Sequence, residues 1–331
     1  MSPLSENRLS EFDLIASLFA PMAGEGALGL LDDAAVLTPS PGMDLVVTKD
    51  ALVEGVHFFA DDPPASIARK ALRVNLSDLA AKGATPRGFL LALGRGPRQT
   101  DDWLKAFATA LAEDSRSYAV PLLGGDTVKA AQGFFSITAF GEVPQGQMVK
   151  RQGGKPGDLL YVSGTIGDAA LGLKLRLEPE APWAKALAPE HRVFLADRYL
   201  HPQSRIALAS VLLVHASAAM DISDGLVGDA DKLAARLGRN IEIASLPLSP
   251  AVRAAITHDP VLLDVALTGG DDYEILAAVP PENAVAFENE ALRSGIPVVK
   301  IGTLLTAESE VAWLLPDGSL KAFGSRSYKH F

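Results

Sequence analysis

Aspartates stand at the ends of apolar runs along this sequence, a placement typical of side chains that present oxygen atoms to a metal ion. Asp50 ends the run DLVVTKD, Asp126 ends PLLGGD, and Asp221 and Asp224 flank a serine in MDISDG. Residues at such positions can project into a cleft from a rigid base. Mg²⁺ prefers oxygen ligands and takes a few carboxylates together with water and substrate phosphate oxygens. The pattern therefore predicts a protein that binds Mg²⁺ and phosphate.

Each aspartate taken alone has a simpler interpretation, because aspartate also forms turns and caps helices. Asp78 differs, since it lies late in the helical segment IARKALRVNLSDLAAKG beside Asn75, where an unpaired charge would be costly. For the phosphate, we expect Gly124 and Gly125 to offer backbone amides as an anion nest. Ser223 would add a hydroxyl and the positive end of the helix predicted to follow it.

Several other chemistries are excluded or disfavoured by the sequence. It has no cysteine, which excludes disulfides, thiolate metal sites and a cysteine nucleophile. There is no GxxxxGK[ST] and no HRD with DFG, so neither a P-loop nor a protein-kinase site is predicted. The string GEGALG follows a helical pattern and leads to Asp32-Asp33, so it lacks the strand–turn–helix context of a dinucleotide site. The histidines lack zinc spacing, and His57 taken alone reads as an ordinary core or surface residue.

Composition and charge limit the partners. The 331 residues carry a formal net charge of −10, which disfavours binding to nucleic acid or to an anionic membrane. Residues 1–20 contain three acids and do not resemble a targeting peptide, and no apolar run is long enough to span a membrane. We therefore expect a cytoplasmic protein.

The elements that must position these residues follow from the hydrophobic periodicity. Helices are predicted near 66–82, after Thr100, near 227–237 and near 282–293. Strands are predicted at 44–48, 89–93, 119–123, 134–143, 159–163, 220–222, 241–244, 273–279 and 298–301. Without strict βαβ alternation this mixture predicts an α+β fold. The stretch 144–158, rich in Gly, Pro and basic residues, is the best candidate linker, which predicts domains at 1–150 and 151–331.

Characteristic segments occur in order along nearly the whole chain: LLDDAAV, VVTKDALVEGVHF, KALRVNLSDLAAKGATP, LLGGDTV, RQGGKPGD, YVSGTIGDAALGL, MDISDGL, LTGGDDYEI and SYKHF. In order and spacing they resemble the thiamine-monophosphate kinases, of the aminoimidazole-ribonucleotide-synthetase-like superfamily. The resemblance implies a homodimer with an N-terminal dimer-forming sheet, a larger C-terminal α/β domain, and ATP and metals in the cleft between the domains. It implies Mg²⁺- and ATP-dependent, direct in-line phosphorylation of thiamine monophosphate to thiamine diphosphate, without a nucleophilic residue.

The resemblance also implies roles for individual residues. The implied Mg²⁺ ligands are Asp33, Thr48, Asp50, Asp78, Asp126, Asp221 and Asp224. The residues implied to meet ATP are Gly125, Asp126, Arg151 and Ser223. Those implied to meet thiamine phosphate are His57, Asp271 and a C-terminal aromatic, either Phe323 or Tyr328.

The sequence departs from the family pattern at two instructive positions. Lys49 stands where a second hydroxyl is common, and an ammonium group cannot bind Mg²⁺. Asp271 stands where glutamate is common, which shortens that side chain by one methylene. The alternatives are another ATP-using enzyme of the same superfamily and a non-enzymatic metal- or nucleotide-binding regulator.

Overall fold

The computed structural model describes residues 9–309, 311–324 and 326–327, and their contacts group into two compact units. The first unit holds the described residues up to Leu79 together with Thr85–Gly146. The second holds Ala80–Ala84 and the described residues from Gln147 onward. Each unit is built around its own sheet.

The first unit contains, within the described residues, a four-stranded sheet in the order β1-β4-β2-β3. Its strands are β1 (Met43–Val53), β2 (Thr85–Arg95), β3 (Leu122–Lys129) and β4 (Phe134–Pro144). The β2–β3 pair is parallel, whereas β4 runs antiparallel to both β1 and β2. As a result, β1 and β3 are the two edge strands.

Helices cover one face of this sheet. They are α2 (Pro64–Ala81) and α3 (Asp101–Ser117). The chain before β1 forms α1 (Glu11–Leu14) and helical turns at Ile15–Phe19 and Ala20–Met22, which contact α3, and at Glu25–Leu30, which contacts β3. The ring of Phe135 on β4 is fully buried and stacks on Phe107 and Trp103 of α3, with centroids 4.6 and 5.5 Å away. The residues of β4 that alternate with Phe135, such as Ile137, share this inner face.

The second unit contains, among its described residues, a six-stranded sheet in the order β10-β7-β9-β5-β8-β6. Its strands are β5 (Leu159–Ser163), β6 (Ala218–Ile222), β7 (Gly238–Glu242), β8 (Glu274–Val279), β9 (Val298–Leu305) and β10 (Val311–Leu314). Its helices are α4 (Asp168–Leu177), α5 (Pro182–Ala186), α6 (Pro189–Leu200), α7 (Ala209–His215), α8 (Leu226–Ala234), α9 (Pro250–His258), α10 (Leu262–Thr268) and α11 (Ala284–Arg293).

Both faces of this second sheet carry a hydrophobic core. On β8 every residue is buried, and Leu276 contributes to one core while Ile275 contributes to the other. Leu226 and Leu233 of α8 belong to the first of these cores, and Phe287 of α11 belongs to the second. A strand buried on both faces reads as a continuous apolar run, which is why β5, β6 and β8 could be located from the sequence.

The α+β fold class is confirmed, and the main differences lie in the ends of two strands. β1 does not stop at Thr48 but pairs with β4 through Asp50 to Val53. β3 does not turn at the glycine pair but pairs with β2 through Gly125 and beyond. A Cβ atom added to Gly125 would lie 1.9 Å from the Leu91 carbonyl oxygen, so Gly125 permits close strand approach instead of forming a turn.

Candidate functional site

The TKD segment of β1 presents its polar side chains on alternate faces. Thr48 and Asp50 lie on the same face as the buried Val46 and Leu52, because side chains two residues apart in a strand point the same way. Lys49 lies on the opposite, solvent-exposed face. The lysine at this position, where a hydroxyl residue is common, therefore does not alter the face that carries Thr48 and Asp50.

Hydrogen bonds join helix α2 to this part of β1. The Thr48 hydroxyl donates to Asp78 Oδ2, and the Asp50 amide donates to Asn75 Oδ1 at 2.9 Å. The Asn75 side-chain amide donates in turn to the Ala71 carbonyl at 3.0 Å, which fixes the orientation of the asparagine. The NLSD segment thus holds the strand with Asn75 and places Asp78 against Thr48.

The other two predicted metal ligands of the first unit lie elsewhere on it. Asp33 is exposed in the loop that follows the turn Glu25–Leu30. Asp126 is exposed on the opposite edge strand, aligned with Ala92 on the outer face of the sheet. The expected anion nest is wrong, because successive amides of an extended strand such as the Gly124–Gly125 segment point in opposite directions.

His57 follows β1 in a tight turn that orients its ring. The Val53 amide donates to His57 Nδ1 at 3.1 Å. Because Nδ1 accepts this bond, the ring proton of the neutral imidazole is on Nε2. In this tautomer the half-buried imidazole carries its N–H donor at Nε2.

In the second unit, the segments MDISDG and TGGDDYE form one structure joined through the main chain. The Asp271 amide donates to the Ser223 carbonyl at 2.9 Å, and the Tyr273 amide donates to the Ile222 carbonyl at 2.8 Å. A Cβ atom added to Gly270 would lie 2.2 Å from the Ser223 carbonyl oxygen, so the two segments approach backbone to backbone. Four of the predicted site residues meet here: Asp221, Ser223, Asp224 and Asp271.

A lysine that the sequence analysis did not single out pairs with one of these residues. Lys232 of α8 donates to Asp224 Oδ2 at 2.5 Å and to Asp229 Oδ1 at 2.8 Å. Burial raises the pKa of Asp229, although Lys232 opposes that rise. The i, i+3 spacing of Asp229 and Lys232 on a helix is the sequence signal that could have revealed this pair.

Two acids of the TGGDDYE segment are buried and have a structural role that the sequence did not indicate. Asp272 accepts hydrogen bonds from the Gly167 amide at 2.8 Å and the Ala169 amide at 3.3 Å. Glu274 is fully buried and pairs with Arg198 and Arg205. Burial raises the pKa of Asp272 well above its usual value, against the effect of the Gly167 amide.

The remaining predicted residues lie on other segments of the chain. Arg151 is exposed in the segment between β4 and β5. Phe323 packs edge-on against Trp313 with centroids 5.4 Å apart, and Tyr328 lies outside the described residues. Across the described ranges, no group of three or more His, Asp or Glu side chains is arranged to hold a metal ion by itself. No helix in the described part of the chain is long and apolar enough to cross a membrane.

Comparisons with known proteins cover most of the chain. Residues 31–143 match the family model described as AIR synthase related protein, N-terminal domain, and residues 155–314 match its C-terminal counterpart. Thiamine-monophosphate kinase from Caulobacter vibrioides is 43% identical over 312 residues, which cover 92% of this chain and 86% of that relative.

Solved structures agree with these matches. The thiamine-monophosphate kinase from Stenotrophomonas maltophilia K279a has a TM-score of 0.78 and 36% identity, covering 88% of this chain and 91% of that one. AaThiL, solved in complex with AMPPCP and TMP, has a TM-score of 0.76 and 29% identity, covering 98% of this chain and 99% of that one.

Proposed function

Because the chain belongs to the thiamine-monophosphate kinase family, we propose that it transfers the γ-phosphoryl group of ATP directly to the phosphate of thiamine monophosphate. A phosphate oxygen of the acceptor attacks the γ-phosphorus in line, the bond to the β-phosphate oxygen breaks, and thiamine diphosphate and ADP are released. The acceptor oxygen is already anionic at neutral pH, so the step needs no strong general base and no covalent enzyme intermediate.

The observation that carries this proposal is the main-chain junction of MDISDG with TGGDDYE. It joins, through main-chain hydrogen bonds, the two segments that carry Asp221, Ser223, Asp224 and Asp271. Phosphoryl transfer depends mainly on positioning and on neutralising charge, and this junction supplies polar groups suited to both tasks.

We propose that Mg²⁺ is held by the hard oxygen atoms of each unit, and the donor chemistry fits this ion. In the first unit the Thr48 hydroxyl already lies within hydrogen-bonding distance of the Asp78 carboxylate, and Asp50 shares its face. Asp126 lies on the other edge strand, β3, and on the outer face of the sheet, so within one copy of this unit it would hold a different ion from the one at Asp78. Asp33 would add a carboxylate from its loop. The proposed ligands in the second unit are Asp221 and Asp224. When bound, Mg²⁺ would neutralise the phosphate groups and offset the repulsion between two polyanions.

The chain's own residues would orient the two substrates. We propose that Gly125, Asp126, Arg151 and Ser223 meet ATP. His57 would donate from Nε2–H to thiamine phosphate, since Val53 already occupies Nδ1. Asp271 and Phe323 would complete the thiamine side, and Tyr328 remains the alternative aromatic.

The first experiment incubates the purified protein with ATP, Mg²⁺ and thiamine monophosphate and separates the thiamine species by chromatography. We expect thiamine diphosphate only when all three are present, and none from free thiamine. Asp126→Asn and Asp221→Asn should fold normally and lose most of this activity. Near-normal rates in both variants would refute the metal-ligand assignment, and a trapped phosphoprotein would refute direct transfer.

We further propose a cytoplasmic homodimer formed through the outer face of the first sheet. Leu45 and Val47 of β1 and Val128 of β3 lie on this face and are 39%, 58% and 48% exposed, which is unusual for apolar strand residues. Light scattering coupled to gel filtration should give twice the chain mass. Val47→Asp should shift the mass toward that of one chain, and a wild-type protein of single-chain mass would refute the dimer.

A further inference from the structure

The loop that joins α10 to β8, residues 269–273, is held in a strained conformation. Asp271 has φ = 74° and Tyr273 has φ = 51°, so two non-glycine residues in one short loop adopt the left-handed region. Each such residue costs on the order of 1 kcal/mol or more and persists only where its surroundings enforce it. The loop therefore needs specific contacts that hold it.

The amides on either side of Asp272 supply part of this restraint. Those of Asp271 and Tyr273 donate to the end of β6, as described above. The Asp272 side chain binds a different element, because its two oxygens accept the amides of Gly167 and Ala169 at the start of α4. The loop is thus held between β6 and α4, and Asp272 makes the α4 contact through a side chain that is only 4% exposed.

The geometry of this contact requires two acceptor oxygens on one side chain. Both partners of Asp272 are N–H donors, so both side-chain oxygens must accept. An asparagine would turn its own NH₂ group toward one of these amides, and a buried amide without an acceptor costs about 1–3 kcal/mol. This cost is comparable to the strain of the loop, so the loop would relax away from α4.

We propose that Asp272 is a positioning residue for substrate binding: its carboxylate holds the strained 269–273 loop so that Asp271 is presented to thiamine phosphate. This inference rests on the proposed function, in which Asp271 contacts that substrate. Asp272 itself touches no substrate; it acts through the neighbouring residue.

The rival explanation is that Asp272 only stabilises the start of α4, and Asp168 provides the matched control. Asp168 is equally buried at the same helix start, but its oxygens accept from the hydroxyls of Thr165 and Ser249. A hydroxyl can rotate and accept a hydrogen bond from the NH₂ group of an introduced asparagine, whereas a backbone N–H can only donate. Asp168→Asn therefore tests loss of charge at this helix start without forcing the loop to move.

The experiment measures steady-state kinetics of the full-length enzyme with thiamine monophosphate and ATP varied separately. Urea unfolding and circular dichroism of each variant give the folded fraction. For Asp272→Asn we expect the KM for thiamine monophosphate to rise about tenfold, as a loss near 1.4 kcal/mol implies, with a much smaller change for ATP. Asp168→Asn should change neither KM by more than about twofold, even if it lowers the free energy of unfolding as much as Asp272→Asn does.

Asp272→Glu serves if Asp272→Asn does not fold, since it keeps both oxygens but displaces them by a methylene, and its KM for thiamine monophosphate should also rise. A folded Asp272 variant with a lower kcat but an unchanged KM would overturn the proposal and leave only the helix-stabilising role.

Asp271→Asn, in which the asparagine tolerates the left-handed conformation, separates the positioning proposal from the proposed substrate contact. An unchanged KM there would refute the substrate contact itself, whereas a raised KM there with unchanged Asp272 variants would refute positioning alone.

Discussion

Glu274 is a buried, heavily paired carboxylate of the second unit, and its neutralisation should strongly destabilise that unit. It accepts from the Ser163 hydroxyl at 2.7 Å, from Arg198 at 3.0 Å and from Arg205 Nε at 2.6 Å, with a further bond from Arg205 Nη2. Glu274→Gln keeps the shape of the side chain and one acceptor oxygen. It removes the negative charge that Glu274 places beside the two arginines.

The size of the effect follows from the burial of all three groups. The Glu274 side chain is fully buried, and those of Arg198 and Arg205 are 13% and 18% exposed. Removing one partner of a buried ion pair costs about 3–5 kcal/mol, because the other partner stays buried without compensation. Since both arginines retain some contact with water, we expect about 3 kcal/mol. At about 2–4 °C for each kcal/mol in a unit of this size, the melting temperature should fall by roughly 6–12 °C.

Urea unfolding followed by circular dichroism and tryptophan fluorescence measures this loss, since Trp183 and Trp313 both belong to the second unit. Glu288→Gln is the control. Glu288 also accepts a hydrogen bond, from Tyr161 at 2.6 Å, but it is exposed, so its loss should stay below about 1 kcal/mol. If Glu274→Gln cost no more than Glu288→Gln, the assignment of a stabilising buried ion cluster would be wrong.

Three further predictions concern charge and backbone geometry. Lys232→Met should lower the Mg²⁺ concentration for half-saturation in calorimetry without nucleotide, because the ammonium occupies an Asp224 oxygen; an unchanged or higher value would contradict this competition. Gly167→Ala should destabilise the protein by more than about 3 kcal/mol in urea, because φ is +85° and the added Cβ would lie 2.3 Å from a neighbouring Cβ; a loss below about 1 kcal/mol would contradict it. Burial alone would raise the pKa of Glu142, but its hydrogen bonds and the Arg87 guanidinium hold that pKa below its usual value. Glu142 therefore contributes stability above about pH 4.3, and this contribution is lost as pH falls through its folded pKa. In urea unfolding, Glu142→Gln should lower the free energy of unfolding at pH 7, and the difference from wild type should shrink in acid. A difference that does not change with pH would refute this contribution.

Features encoded by neighbouring residues could be predicted from the sequence. The Thr100 cap is such a feature, because its hydroxyl accepts the Trp103 amide three residues on. The buried strands of the second unit were located for a similar reason, since their apolar runs are continuous. The α+β class followed from the order of these elements.

Features that depend on distant partners could not be predicted in this way. TGGDDYE contains three acids that look alike in the sequence, yet Asp271 is partly exposed, Asp272 binds amides of α4, and Glu274 pairs with arginines 69 and 76 residues away. The extension of β3 through Gly125 likewise depends on its pairing with β2. A local glycine pattern predicts a turn, whereas the neighbouring strand makes it extended.

The junction of MDISDG with TGGDDYE has an evolutionary consequence, because its direct ties are main-chain hydrogen bonds. The bonds from Asp271 and Tyr273 to the end of β6 use amides and carbonyls that every residue except proline can supply. The side chain at position 223 can therefore drift, or be exchanged by an engineer, while the scaffold keeps its geometry. At position 271 the positive φ narrows the choice to residues that tolerate it, such as Asp, Asn and Gly. Such a junction would allow acceptor specificity to diverge in small steps, each tested by selection on a framework that still folds.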